Sequence, residues 1–215
     1  MSNTDIAIRH DYAVSPWRAF ADENLASAMV GDLITFAKGK WRRGEGKEPV
    51  PEGARFLCNM EEIWTGWIRW FDGKAVEHRI GRLIDFPPRL SREDLGHLDE
   101  SKWETDPSGN LRDPWAQTDR MVMRDENGEL CTFSTSSVGG RHAISKLCKS
   151  FDTGSSKHDG YWPVVVLEVE TYQHHVYGEI MKPRFKIVDW QPWDEAQAQK
   201  EPKPSVDDLS MEIPF

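Results

Sequence analysis

The chain has 215 residues, 38% of them hydrophobic and 29% charged, and a formal net charge of −9. That length suits one ordinary domain with tails. The negative balance excludes a protein that coats nucleic acid or anionic membrane uniformly. No segment approaches the roughly 20 apolar residues of a membrane span, and no signal peptide is read at the start, so a cytoplasmic protein is expected.

Residues 1–15 are polar and read as a flexible N-terminus. From Pro16, PWRAFADENLASAMVGD reads as a short helix, with Ser15 as its cap and Gly31 as its end. LITFAKGKWRRGEGKEPVPEG begins like a strand and passes into a loop rich in glycine and charge. Residues 36–56 carry six basic and three acidic groups. Lys38, Lys40, Arg42, Arg43 and Lys47 surround Trp41 there. Cations for phosphates and a flat ring for bases are what single-strand binding needs.

ARFLCNMEEIWTGWIRWFDGKAVEHRIGRLIDF is the clearest β signal, with Asp72-Gly73 as the turn of a hairpin. By strand parity, Trp64, Ile68 and Trp70 share one face, and Trp67 and Arg69 the other. The first set is expected inside. Trp67 and Arg69 are expected outside, with Arg79 and Arg82 extending a basic face across the hairpin. Residues 87–115 form a long acidic excursion, which reads as a functional or mobile loop.

A second hairpin turns at Asn127-Gly128, and SVGGRHAISKLCKSF reads as a helix with apolar positions 143, 144, 147, 148 and 151. STSSVGGRH supplies its N-cap. A third strand pair runs from YWPVVVLEVETYQ to EIMKPRFKIVDW. The expected fold is mainly β (α+β): an OB-like antiparallel Greek-key barrel over residues 16–190, with one inserted helix. A generic α+β sheet with one packed helix fits nearly as well. Residues 191–215 read as a disordered linker and an acidic protein-interaction tip.

Chemistry leaves few signals. His174 and His175 adjoin in a strand and point to opposite faces, so no metal site is expected. Cys58, Cys131 and Cys148 form no CxxC pair and read as buried free thiols. Glu61, Glu62 and the carboxylates of 93–106 show no pair spacing. No nucleophile adjoins a base, so neither catalysis nor a cofactor is expected.

The end of the chain, DDLSMEIPF, joins carboxylates to a terminal apolar plug. Phe215 suits an apolar pocket, while a partner's basic residues take the carboxylates. This ending resembles the acidic tip of bacterial single-stranded DNA-binding proteins at Asp207, Asp208, Ile213, Pro214 and Phe215. Several phage single-strand binders end similarly. Here Leu209-Ser210-Met211 and Glu212 stand where the family has a continuous Asp run. The resemblance implies that the tip recruits replication, recombination and repair enzymes and competes with DNA for the binding groove. GDLITFAKGKWRRGEG, GWIRWFDGK and DPWAQTDRMVM resemble uncharacterised phage and prophage proteins.

The resemblance thus implies a single-stranded DNA-binding protein of phage or prophage type in the cytoplasm of a bacterial host, without membrane contact and compatible with a homo-oligomer. DNA would meet Lys38, Lys40, Trp41, Arg42, Arg43, Trp67, Arg69, Arg79 and Arg82. Partner enzymes would meet Asp207, Asp208, Glu212, Ile213, Pro214 and Phe215. The alternatives are an accessory protein that binds partners rather than DNA, or a metal-dependent nuclease.

Overall fold

Alternating and apolar runs separated by turn residues give eleven strands and one α-helix among the described residues of the computed structural model, which are 29–86, 89–106, 108–175 and 178–193. The strands are β1 (Asp32–Ala37), β2 (Lys40–Arg43), β3 (Glu48–Pro49), β4 (Arg55–Phe71), β5 (Lys74–Arg82), β6 (Glu104–Thr105), β7 (Leu111–Arg112), β8 (Trp115–Asp125), β9 (Leu130–Thr135), β10 (Trp162–His174) and β11 (Gly178–Gln191). The helix, α1, spans Val138–Ser155 between β9 and β10. The helix expected from Pro16 falls mostly on residues 16–28, and the acidic tip on 205–215, both outside the described residues.

Nine strands form one sheet in the order β11-β10-β4-β8-β9-β1-β2-β3, with β5 paired to the far half of β4. The sheet curls strongly into a half-barrel. Its neighbours are antiparallel except β1 and β9, which pair in parallel, so the expected all-antiparallel arrangement is corrected at this one ladder. A parallel pair needs a long crossover, and the chain from β2 to β8 supplies it.

The bend lies within β4. Its first half pairs with β10 and its second half with β5, while β8 runs alongside both. Cys58 opposes Met123 and Ile63 opposes Met121, so residues 59–62 of β4 face the single residue Val122. Such a bulge bends the strand and shifts its parity. Cys58 and Ile63, five positions apart, consequently enter the same core with Phe56, Met121, Met123, Phe133 and Val165.

That bulge corrects half of one expectation: Ile68 is buried as expected, but Trp67 and Arg69 do not face outward. From Ile63 onward, Thr65, Trp67 and Arg69 share the inner face with Ile63, opposite Asp119, Gln117 and Trp115. Trp64, Ile68 and Trp70 lie on the outer face. There Ile68 and Ile80 form a second small cluster flanked by Trp64 and Trp70. Gly66 makes the tight hairpin possible. Its φ is +149°, and a Cβ there would stand 2.2 Å from the Arg79 carbonyl oxygen.

The ends of the sheet meet across the core. Trp41 of β2 packs against Phe36, Phe133 and, from β11, Phe185, with ring centroids 5.0–5.6 Å apart. Its Nε1–H donates to the Glu168 carbonyl of β10 at 3.1 Å. The helix seals the interior with Ala143, Ile144 and Leu147. Ser137 caps it as the sequence suggests, its hydroxyl accepting from the Gly140 N–H at 3.0 Å.

Candidate nucleic-acid interface

The expected patch around Trp41 divides in two. KWRR is a strand rather than a flexible loop, and alternation sends Trp41 inward, where it is only 7% exposed. A buried indole stacks on no base, so Trp41 is corrected from contact residue to core residue. Arg43 is also committed. It donates to Asp125 at 2.6 Å, Asp32 at 2.8 Å and Glu129 at 3.3 Å. Arg42 donates to the Lys47 carbonyl at 2.9 Å. Lys38 and Lys40 remain exposed at the β1–β2 turn.

The hairpin cations are paired as well. Arg69 and Arg79 share Glu77, at 3.2 and 2.8 Å. Burial pushes the Glu77 carboxyl up, but the hydrogen bonds from Arg79 and Arg69 outweigh it and hold the group below the usual carboxylate range. Arg82 reaches Asp85 at 3.0 Å and Glu62 at 3.5 Å. Trp67 donates its Nε1–H to the Leu90 carbonyl at 3.0 Å and so lies against the acidic excursion rather than in the open.

The excursion itself is built rather than loose. Arg92 ties it together by donating to Asp113 at 2.6 Å, to the Gly96 carbonyl at 2.6 Å and to the His97 carbonyl at 3.1 Å. Leu95 and Trp115 are buried beneath it.

A further basic surface lies elsewhere. The segment KPRFK of β11 alternates, placing Lys182, Arg184 and Lys186 on one face while Phe185 enters the core. Beside this strand α1 contributes Lys146 and Lys149, and the two elements border a groove of about 830 Å³. Glu168 and Glu170 pair with four of these five cations. Lys186 meets Glu168 at 3.0 Å and Arg184 meets it at 3.8 Å. Lys182 and Lys146 meet Glu170 at 3.3 and 3.6 Å. Surface pairs of this kind contribute about 0–1 kcal/mol each, so a phosphate exchanges for a carboxylate at small cost.

An aromatic ring adjoins the cations. Tyr172 is 41% exposed, with the Lys182 ammonium 5.0 Å from its ring centroid. The β1–β2 turn meets the other face of β11, the one that carries Met181. Gly39, at φ +73°, lets the turn come so close to β11 that a Cβ would strike the Met181 sulfur at 2.1 Å. Lys38 and Lys40 thereby stand beside the strand that carries Lys182. Sequence reasoning missed this strip, although the period-2 pattern Lys182-x-Arg184-x-Lys186 was readable.

Other chemistry is sparse. No group of three or more His, Cys, Asp or Glu side chains is placed to hold a metal ion among the described residues. The cysteines are free, with Cys58 and Cys131 buried and Cys148 half-buried. Burial pushes the Cys131 thiol up to about 12 and that of Cys148 to about 11, far from nucleophilic thiolates. No helix among the described residues is long and apolar enough to cross a membrane. No family model, curated protein or solved structure matches the chain.

Proposed function

We propose that this chain is a single-stranded DNA-binding protein of phage or prophage replication or recombination, working without catalysis or cofactor in the bacterial cytoplasm. Its curled sheet acts as an OB-like barrel. Phosphates lie along Lys146, Lys149, Lys182, Arg184 and Lys186, and a base stacks on Tyr172. Asp207, Asp208, Glu212, Ile213, Pro214 and Phe215 recruit a partner enzyme. The observation that carries the proposal is the strip of five cations, four of them paired to two carboxylates, on a chain of net charge −9. A second reading is favoured by the burial of Trp41 and the covering of Trp67, which remove two expected stacking rings. It is an accessory protein that docks partners through the tip and grips no DNA.

Anisotropy of a labelled oligo-dT at 50 and 200 mM salt separates the two. Single strands lose affinity with a log–log slope of about −0.7 per phosphate neutralised, so five contacts give about −3.5 and roughly a 100-fold loss over that range. With Lys149→Gln, Arg184→Gln and Lys186→Gln combined, the slope falls to about −1.4 and the loss to about 7-fold. No binding at 50 mM salt supports the accessory reading. Binding with an unchanged slope moves the DNA off this strip.

A further inference from the structure

The cleft between the end of the β4–β5 hairpin and the excursion has a volume of about 430 Å³. Small-molecule sites typically occupy roughly 300–1,000 Å³. Trp70, Phe71 and Trp103 supply flat apolar wall. The hairpin and the excursion are joined by hydrogen bonds at the cleft itself. The Trp70 N–H donates to the Pro114 carbonyl at 2.8 Å, and the Asp72 N–H to Glu104 Oε1 at 2.8 Å. Trp103 Nε1–H donates to the His97 carbonyl at 2.8 Å. The cavity is therefore formed before any ligand arrives, which lowers the ordering cost of binding.

Three features narrow the ligand. Phe71 remains 60% exposed at the end of β4, so a large ring is held against water without a partner. Arg92 lies 5.9 Å from the centroid of the Trp103 ring and covers one face, so a ring entering the cleft meets the other. Arg69, Lys102 and Arg112 are balanced by Asp99, Glu104 and Asp113 around the same cavity. A balanced site confers no advantage on an anion. Beyond pairs such as Lys102–Asp99, at 3.1 Å, these groups keep further donors and acceptors for the edge of a flat, neutral heterocycle, whereas a plain hydrocarbon ring would desolvate them without return.

The geometry points to a neutral nucleoside or nucleobase as the ligand of this cleft, its ring packed on Trp103 and Phe71. The site is separate from the phosphate strip on α1 and β11, and a probe without phosphate tests it alone. The full chain is titrated with adenosine and with thymidine while the indole Nε1–H resonances are followed by ¹H–¹⁵N spectroscopy. Benzyl alcohol serves as the ring without a hydrogen-bonding edge. Saturable shifts are expected at Trp70 and Trp103, with Trp41 unmoved. Phe71→Ala, at an exposed position, weakens the nucleosides at least fivefold. The triple strip variant Lys149→Gln/Arg184→Gln/Lys186→Gln leaves their affinity unchanged. The inference is overturned if the shifts do not saturate, if Phe71→Ala leaves them as they are, or if benzyl alcohol binds as tightly as the nucleosides.

Discussion

Replacing Trp41 by alanine tests the placement that most changes the functional picture. The indole is 7% exposed, sits among Phe36, Phe133 and Phe185, and joins β2 to β10 through the bond to Glu168. Truncating a core tryptophan costs about 3–5 kcal/mol. Leaving the Glu168 carbonyl without its donor adds about 1 kcal/mol. The sum, about 4–6 kcal/mol, is a large part of the ~5–15 kcal/mol that holds an ordinary domain together. Trp41→Phe keeps much of the apolar volume and loses the bond, so about 1–2 kcal/mol is expected.

Urea unfolding followed by far-ultraviolet circular dichroism measures both variants. A cost below about 1 kcal/mol for Trp41→Ala, with an unchanged urea dependence, would refute the core placement. It would return Trp41 to the list of stacking rings. A large cost has the opposite bearing: any loss of DNA binding in Trp41→Ala must then be judged against its unfolded fraction. Trp41→Phe, still folded, is the variant in which binding can be compared directly.

Arg43→Met strands three carboxylates and should cost about 2 kcal/mol at pH 7. Burial pushes the Asp125 carboxyl up, but the hydrogen bonds and charge of Arg43 outweigh this and hold it below its ordinary value. That contribution is present above the unfolded value of about 3.9 and lost as pH falls through the folded one, so the gap to wild type must shrink between pH 6 and pH 3.5. Urea midpoints across that range check it, and a constant gap would contradict it. Asp119 runs the other way: burial raises its carboxyl more than the Thr65 hydrogen bond and Arg141 lower it. Its contribution is present at low pH and lost as pH rises through the folded value. Asp119→Asn should therefore melt no lower than wild type at pH 7.5, and a scan showing a larger drop there than at pH 4 would oppose this. Gly66→Ala drives a Cβ to 2.2 Å from the Arg79 carbonyl oxygen at an unfavourable φ, and about 2 kcal/mol or more should be lost. Faster hydrogen exchange along β5 is its signature.

The hairpins and the helix were legible because their signals are local. Asp72-Gly73 and Asn127-Gly128 do turn the chain between paired strands, and residues 143, 144 and 147 do form the buried stripe of α1. The bulge at 59–62 was not legible, since register depends on what the partner strand offers rather than on the bulged residues. Missing it preserved the parity of WTGWIRW and the burial of Ile68 but misplaced Trp67 and Arg69. Trp67 and Arg69 continue the inner face, while Trp64, Ile68 and Trp70 line the outer one. The GKWRRG stretch misled for a related reason. Its glycines flank a four-residue strand instead of dissolving it into a loop, and strand alternation then separates Trp41 from the arginines around it.

The basic strip was hidden because counting charges along a chain does not count the charges left available after folding. Residues 64–92 hold six cations, yet Arg69 and Arg79 share Glu77, Arg82 has Asp85 and Glu62, and Arg92 is anchored to Asp113. Arg43 answers to three carboxylates at once. The cations of α1 and β11 lie some 30–40 residues apart in sequence and are brought together by packing, where four of the five share two carboxylates. Screening at physiological salt extends over about 8 Å, so the potential along that groove is set by its neighbours and little by acidic segments elsewhere. A chain of net charge −9 can thus present a local basic face, provided its surplus acids lie elsewhere on the surface. Glu77 and the three carboxylates around Arg43 occupy cations far from α1 and β11, and the strip is a basic face that packing alone assembles.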